Sequence, residues 1–192
     1  TCITFFVLTS MVLLSITFYY KYFTYRSLVA QAIISQDDFP NTGNHTAAEI
    51  NPRLPDMPNL AAIANSPVAV IKAWYLSKDG KYDEALALLN RSTTINPYNM
   101  ANEFVKAQLF YRTNKLDSAF YYAQKGFNTR PSNIGFYGLI TDISKARNDV
   151  PTIKQSFKQC VSRRNDVPNV WNKYIEALLN LHYSQDSLLV IA

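Results

Sequence analysis

The 192 residues offer few side chains able to do covalent or metal chemistry: two histidines, His45 and His182, and two cysteines, Cys2 and Cys160. A metal centre needs several ligands converging on one point, and neither histidine has an acidic or cysteine cluster beside it in the sequence. Cys160 falls at an apolar helical position, which marks a core residue rather than a nucleophile. Two cysteines so far apart exclude a disulfide framework. Adjacent carboxylates occur at Asp37-Asp38 and Asp83-Glu84, but neighbours along a helix point apart rather than toward one substrate. Lys78-Asp79-Gly80-Lys81 has a single glycine, so it reads as a turn between helices and not as a phosphate-cradling loop. No catalytic residue, cofactor or metal is expected. Lys and Arg number 19 against 14 Asp and Glu, a net charge of +5. The basic residues are spread along the chain, so a nucleic-acid partner is not expected either. Binding is the chemistry left open.

The elements that would position a binding surface begin with TCITFFVLTSMVLLSITFYY, residues 1–20, which carry no charge. A helix of that length spans roughly 30 Å, the thickness of a bilayer's hydrocarbon core. Tyr19, Tyr20, Tyr22 and Tyr25 alternate with Lys21 and Arg26 at its far edge, the composition of a membrane–water boundary. Hydroxyls at its Thr and Ser residues can bond carbonyls of the preceding turn. A signal peptide would need a basic start and a small-residue cleavage site, and a buried soluble helix is rarely so long without a charge. A membrane span is the reading that fits. Lys21 and Arg26 favour the cytoplasm for the residues beyond the span. A chain that starts at Thr1 and stops amid a helical pattern is expected to belong to a longer protein.

Residues 27–35 remain helix-compatible and can prolong that helix. From Gln36 to Pro67 the chain then holds five of its nine prolines, which remove backbone donors and prevent a long helix. This stretch reads as an irregular strap. It is either a plain spacer or a segment whose Leu54, Met57, Leu60 and Ile63 dock on the first helical unit.

Beyond it the sequence matches itself at a shift of 34 residues. Lys72 meets Lys106, Ala73 meets Ala107, Asp83 meets Asp117, Ala85 meets Ala119, Pro97 meets Pro131 and Asn99 meets Asn133. Gly80 aligns with Asn114, two residue types that tolerate left-handed backbone, as a tight turn between helices demands. The alanines are small where helices must approach closely. Asp83 and Asp117 suit the positive end of a helix dipole, and Pro97 and Pro131 are expected to stop the second helix of each pair. Leu86, Leu89 and Thr93, then Phe120, Ala123 and Phe127, follow helical spacing, and nothing alternates with period two. A third unit would run from Ile134, with Pro151 opening its second helix and Ile153, Phe157 and Cys160 facing inward. A fourth would begin near Asn169 with a stripe of Trp171, Tyr174, Ile175, Leu178 and Leu181. Asp117-Ser118 and Asp186-Ser187 lie 69 residues apart, which suggests one inserted residue in the third unit.

These residues resemble the tetratricopeptide repeat (TPR) family. Its small residue in the first helix, Gly-x-Tyr-x-x-Ala at the turn and terminal Pro are met by Ala73, Gly80-Lys81-Tyr82-Asp83-Glu84-Ala85 and Pro97. The second unit meets the pattern through Ala107, Ala119 and Pro131 and departs from it at Asn114 and Leu116. Ala69 and Lys72, and Glu103 and Lys106, stand where the family has Trp and Leu. The resemblance implies an all-α fold, a right-handed superhelix of antiparallel hairpins behind a transmembrane helix. Residues 1–35 would be the span and its extension, 36–65 the linker and 66–192 the repeats (66–99, 100–133, 134–168 and 169–192). First helices in such repeats line a concave groove. The groove-facing candidates are Trp74, Lys78, Gln108, Tyr111, Arg112, Asp142 and Lys145, suited to an extended peptide, a C-terminal carboxylate or an anionic glycan. A membrane-tethered, non-catalytic protein-binding scaffold is the function implied. In layout alone the chain also resembles the C-terminal part of bacterial O-antigen ligase or polymerase-type membrane proteins. That layout would make the repeats a periplasmic tail on a glycan-transferring enzyme of the bacterial inner membrane.

Overall fold

The computed structural model describes residues 2–37, 39, 42–55, 66–164 and 168–182. All regular structure among them is helical: α1 (Cys2–Gln36), α2 (Ala47–Ile50), α3 (Val68–Lys78), α4 (Tyr82–Arg91), a 3-10 turn (Pro97–Asn99), α5 (Ala101–Arg112), α6 (Leu116–Thr129), α7 (Ile134–Ala146), α8 (Val150–Val161) and α9 (Pro168–Asn180). The chain divides into two compact units, Thr1–Asn99 and Met100–Ala192.

α1 runs for 35 residues, or about 50 Å. Ile3, Phe5, Phe6, Leu8, Leu13, Leu14, Ile16 and Phe18 all lie exposed along it. It is long and apolar enough to cross a membrane, a property that a secretory leader shares. Several of its hydroxyls bond within the helix. Thr9 donates to the Phe5 carbonyl at 3.0 Å, Ser15 to Met11 at 2.9 Å and Thr17 to Leu13 at 2.8 Å, as an apolar setting requires. Only near its C-terminal end, at Ala30 and Ile34, does the helix become buried.

The remaining long helices pair as antiparallel neighbours through one kind of turn. Gly80, Asn114, Asn148 and His182 have φ of 79°, 56°, 55° and 62° and follow one another at 34-residue intervals. The residue after each of the first three donates its N–H back into the preceding helix, Lys81 to the Leu76 carbonyl (2.9 Å), Lys115 to Phe110 (2.8 Å) and Asp149 to Ser144 (2.9 Å). These bonds satisfy carbonyls that a helix end leaves open. Helix starts keep the same spacing, Ile134 for α7 and Pro168 for α9. No residue is therefore inserted in the third unit. The extra residue between Asp117 and Asp186 falls after His182, outside the described residues.

Packing explains the small side chains. Ala85 and Ala119 are each the fourth residue of their helix, and both are fully buried, as are Ala73 and Ala107. α5 packs with α6, α6 with α7, α7 with α8, and α9 against both α7 and α8. The core of this second unit includes Ala123, Phe127, Ile140, Ile143, Ile153, Cys160 and Leu178. Phe157 stacks on Tyr174 with ring centroids 4.0 Å apart. Burial pushes the Cys160 thiol up from its ordinary range, consistent with an inert packing role. Lys106 is buried within the α5/α6 hairpin, its ammonium 5.3 Å from the centre of the Tyr122 ring.

Some details differ from the sequence-based expectation. α4 ends at Arg91, well before Pro97, which sits in the 3-10 turn. Helix termination there falls to the region of Ser92, which is buried, while Thr93 is exposed. The buried stripe of α9 is Val170, Tyr174, Ala177 and Leu178, and Ile175 is exposed instead. α8 opens with Asp149 as its cap, accepting from the Thr152 N–H at 3.1 Å.

Close approach is tightest at Gly126 on α6, where an added Cβ would lie 2.0 Å from the Phe136 ring of α7. Phe136 is itself buried, so the ring has little room to yield. Gly126→Ala should therefore destabilise the second unit by about 1–3 kcal/mol, against the small gain that alanine normally brings to a helix. Denaturant unfolding followed by circular dichroism measures the difference.

Candidate interaction faces

In the first unit, the segment after α1 folds back over α3. The Phe39 N–H donates to the Ile34 carbonyl at 3.0 Å and closes the end of α1. Asp37, with 1% of its surface exposed, then acts as the base of a loop. Its carbonyl accepts from the Asn44 N–H at 3.2 Å, and its carboxylate accepts from the His45 N–H at 2.9 Å. The same carboxylate accepts from the Tyr75 hydroxyl of α3 at 2.6 Å and pairs with the His45 ring through Nδ1. Burial alone would raise the Asp37 pKa, but the bonds from Tyr75 and His45 together outweigh it and hold the carboxyl below its ordinary range. Burial, reinforced by Asp37, pushes the Tyr75 hydroxyl far up. One ionised carboxylate thus joins α1, the loop and α3.

The loop lies on two of the residues singled out from the sequence. Trp74 is 3% exposed. The Phe39 ring meets it edge-on at 5.1 Å, and Gly43 presses so closely that an added Cβ would lie 2.7 Å from the indole. Lys78 donates its ammonium to the Gly43 carbonyl and to the His45 carbonyl, the latter at 3.1 Å. Beside them the Ala47 N–H donates to Asp79 at 2.6 Å, and Thr46 and Glu49 close a capping box over α2. Ile50 and Leu54 are buried. Of the four residues that could dock, Leu54 is buried, and Met57, Leu60 and Ile63 lie outside the described residues. Trp74 and Lys78 do not line an open groove; the chain's own strap covers them.

The second unit presents a different face. Gln108 and Tyr111 on α5 are half-buried and Arg112 is exposed. Burial pushes the Tyr111 hydroxyl up, with Asp142 adding to the effect and Lys173 opposing it. Asp142 on α7 pairs with Lys173 on α9 at 2.7 Å and lies 3.8 Å from the Lys145 ammonium, which also lies 3.8 Å from Glu176. Pairs this exposed contribute about 0–1 kcal/mol each, so they order the face more than they stabilise the fold. The structure thus links Tyr111, Asp142 and Lys145 electrostatically, leaves Arg112 projecting, and leaves the Gln108 carbonyl oxygen without a partner. Lys173 and Glu176 were not singled out from the sequence, although Gln108, Asp142 and Glu176 are spaced by 34. Among the described residues no group of three or more His, Cys, Asp or Glu side chains converges as a metal site would require.

No family model and no curated protein matches this sequence.

The Asp37 geometry sets the sign of a pH effect. Because its folded-state pKa is lowered, the carboxylate contributes stability that is fully present above the ordinary aspartate value of about 4. That contribution is lost as pH falls through the lowered value. In a Trp171→Phe background, Trp74 emission should therefore report an acid transition beginning below about pH 4. Tyr75→Phe should move its midpoint upward, and Asp37→Asn should remove the pH-dependent component.

Proposed function

We propose that this chain is a membrane-anchored scaffold of the tetratricopeptide kind, whose α5/α7/α9 face holds an extended peptide of a partner protein. The observation that carries this reading is the left-handed turn residue recurring at Gly80, Asn114, Asn148 and His182. A fixed interval between identical turns is what stacked helical hairpins need, since each buries its apolar faces against its neighbours. Such stacking brings first helices side by side, and α7 and α9 are in contact with their polar residues linked by ion pairs. The projecting Arg112 offers a donor to a peptide backbone. α1 supplies the anchor, with Tyr19, Tyr20, Tyr22 and Tyr25 beside Lys21 and Arg26 at the boundary.

Two measurements test this reading. Leu13→Arg with Leu14→Arg places two charges mid-helix at about 2.5–3.5 kcal/mol each; membrane retention after alkaline extraction should be lost in that variant and kept in the wild type. Tyr111→Ala with Arg112→Ala should lower capture of a bound partner about tenfold, as expected for losing roughly 1.4 kcal/mol. Undiminished capture by a folded variant would remove the groove from the account.

A further inference from the structure

We propose that the cleft between α8 and α9 is a binding site for a single-chain fatty carboxylate. The alkyl chain lies against Phe157, Val161 and Tyr174, and Lys158 holds the carboxylate. The site belongs wholly to the second unit and is separate from the α5/α7/α9 face.

Lys154, Phe157, Lys158 and Val161 on α8, with Ser162 at its cap, recur at intervals of three and four, which puts them on one face of the helix. With Tyr174 of α9 they line a cavity of about 520 Å³, within the size range of small-molecule sites. Its floor is aromatic. Phe157 stacks on Tyr174 with ring centroids 4.0 Å apart, and Trp171 meets Phe157 edge-on at 4.7 Å. Phe157 and Tyr174 are both buried among their neighbours, so packing fixes the floor before any ligand arrives.

Size selects a thin occupant. From Lys154 to Ser162 the helix rises about 12 Å, so the cavity averages roughly 40 Å² in section, about half or less of that of a helix with its side chains. One alkyl chain suits that space better than a docked helix or a two-chain lipid. Charge selects an anion. α8 carries no acidic residue, and Asp149 at its cap is engaged by Thr152. The one acidic residue of α9, Glu176, lies toward Lys145 of α7. Lys158 is exposed and takes part in none of the ion pairs among the described residues. A lysine in that position lays its aliphatic stem along apolar surface and keeps its ammonium at the mouth, where a carboxylate accepts a charge-assisted hydrogen bond. Arg163 and Arg164, exposed just beyond α8, add to the positive field. An apolar tail behind a single negative head answers both demands.

The test uses the full chain in micelles of a neutral detergent, in a Trp74→Phe background that leaves Trp171 as the sole tryptophan. ω-Bromooctanoate carries a quencher on a single chain, so its binding in the cleft should quench Trp171 emission saturably. ω-Bromooctanol, the same chain without the charge, should bind about tenfold more weakly, the loss expected for one hydrogen bond to a charged group. Lys158→Gln should weaken the carboxylate to a similar degree and leave the alcohol unchanged. Val161→Phe, which fills the cleft, should abolish saturable quenching while circular dichroism stays helical. Independently of the tryptophan, octanoate should protect Lys158, but not the exposed Lys115, from acetylation read by mass spectrometry. The proposal is overturned if quenching does not saturate, if the alcohol matches the acid, or if Lys158→Gln binds the acid as tightly as its parent. It is also overturned if a two-chain phosphate, dihexanoylphosphatidate, or an acidic amphipathic helical peptide displaces ω-bromooctanoate more readily than octanoate does. None of these readings involves Tyr111 or Arg112, so failure here is distinguishable from failure of the peptide-binding face.

Discussion

A helix of three turns has two apolar faces to cover and one partner in its own hairpin, and that shortfall governs this molecule. α5 and α6 cover one another, but α6 must also meet α7, and α7 must meet α9. The geometry works only if each hairpin reverses in the same way, and the left-handed residues at the turns impose that. The small side chains answer the same demand. Ala85 and Ala119 are fully buried, and Gly126 admits the edge of Phe136, because larger groups would hold the helices apart.

The first unit meets the shortfall differently. There residues that follow α1, Asp37, Phe39 and Gly43 among them, cover α3. Burying a carboxylate is costly unless its lone pairs are taken, and here a phenol, a backbone N–H and an imidazole take them. The joint holds while the carboxylate is ionised.

Much of this organisation was legible in the sequence, for physical reasons. A run of uncharged residues announces a long apolar helix, and alanines and turn residues at a fixed interval announce hairpins, because both signals are local and repeated. The strap was not legible, since a plain spacer and a docked segment both fitted its sequence. Its prolines speak only of what cannot form, and the partners of Asp37 lie far along the chain at Tyr75. His45 carried no sign of the carboxylate that folding brings to it. One local signal was there to be used: Thr46 and Glu49 have capping-box spacing, which marks the start of α2 among the prolines. On the second face, Lys173 and Glu176 were obscured by the weaker pattern of the last unit, where helical spacing alone assigns Ile175 to the buried stripe. Trp74 and Lys78 were assigned by register, and register cannot reveal that another part of the chain already lies on them.

The regular reversal of the hairpins is tested most directly by replacing the turn residues one at a time. At a left-handed position a β-carbon costs roughly 1–2 kcal/mol that glycine does not incur. Asn114 and Asn148 should therefore accept glycine with stability equal to or above the wild type, whereas the alanine variant at either site should be about 1 kcal/mol less stable than the glycine variant in denaturant unfolding. Glycine and alanine variants equally destabilised at both sites would contradict the shared turn and the stacked hairpins built on it.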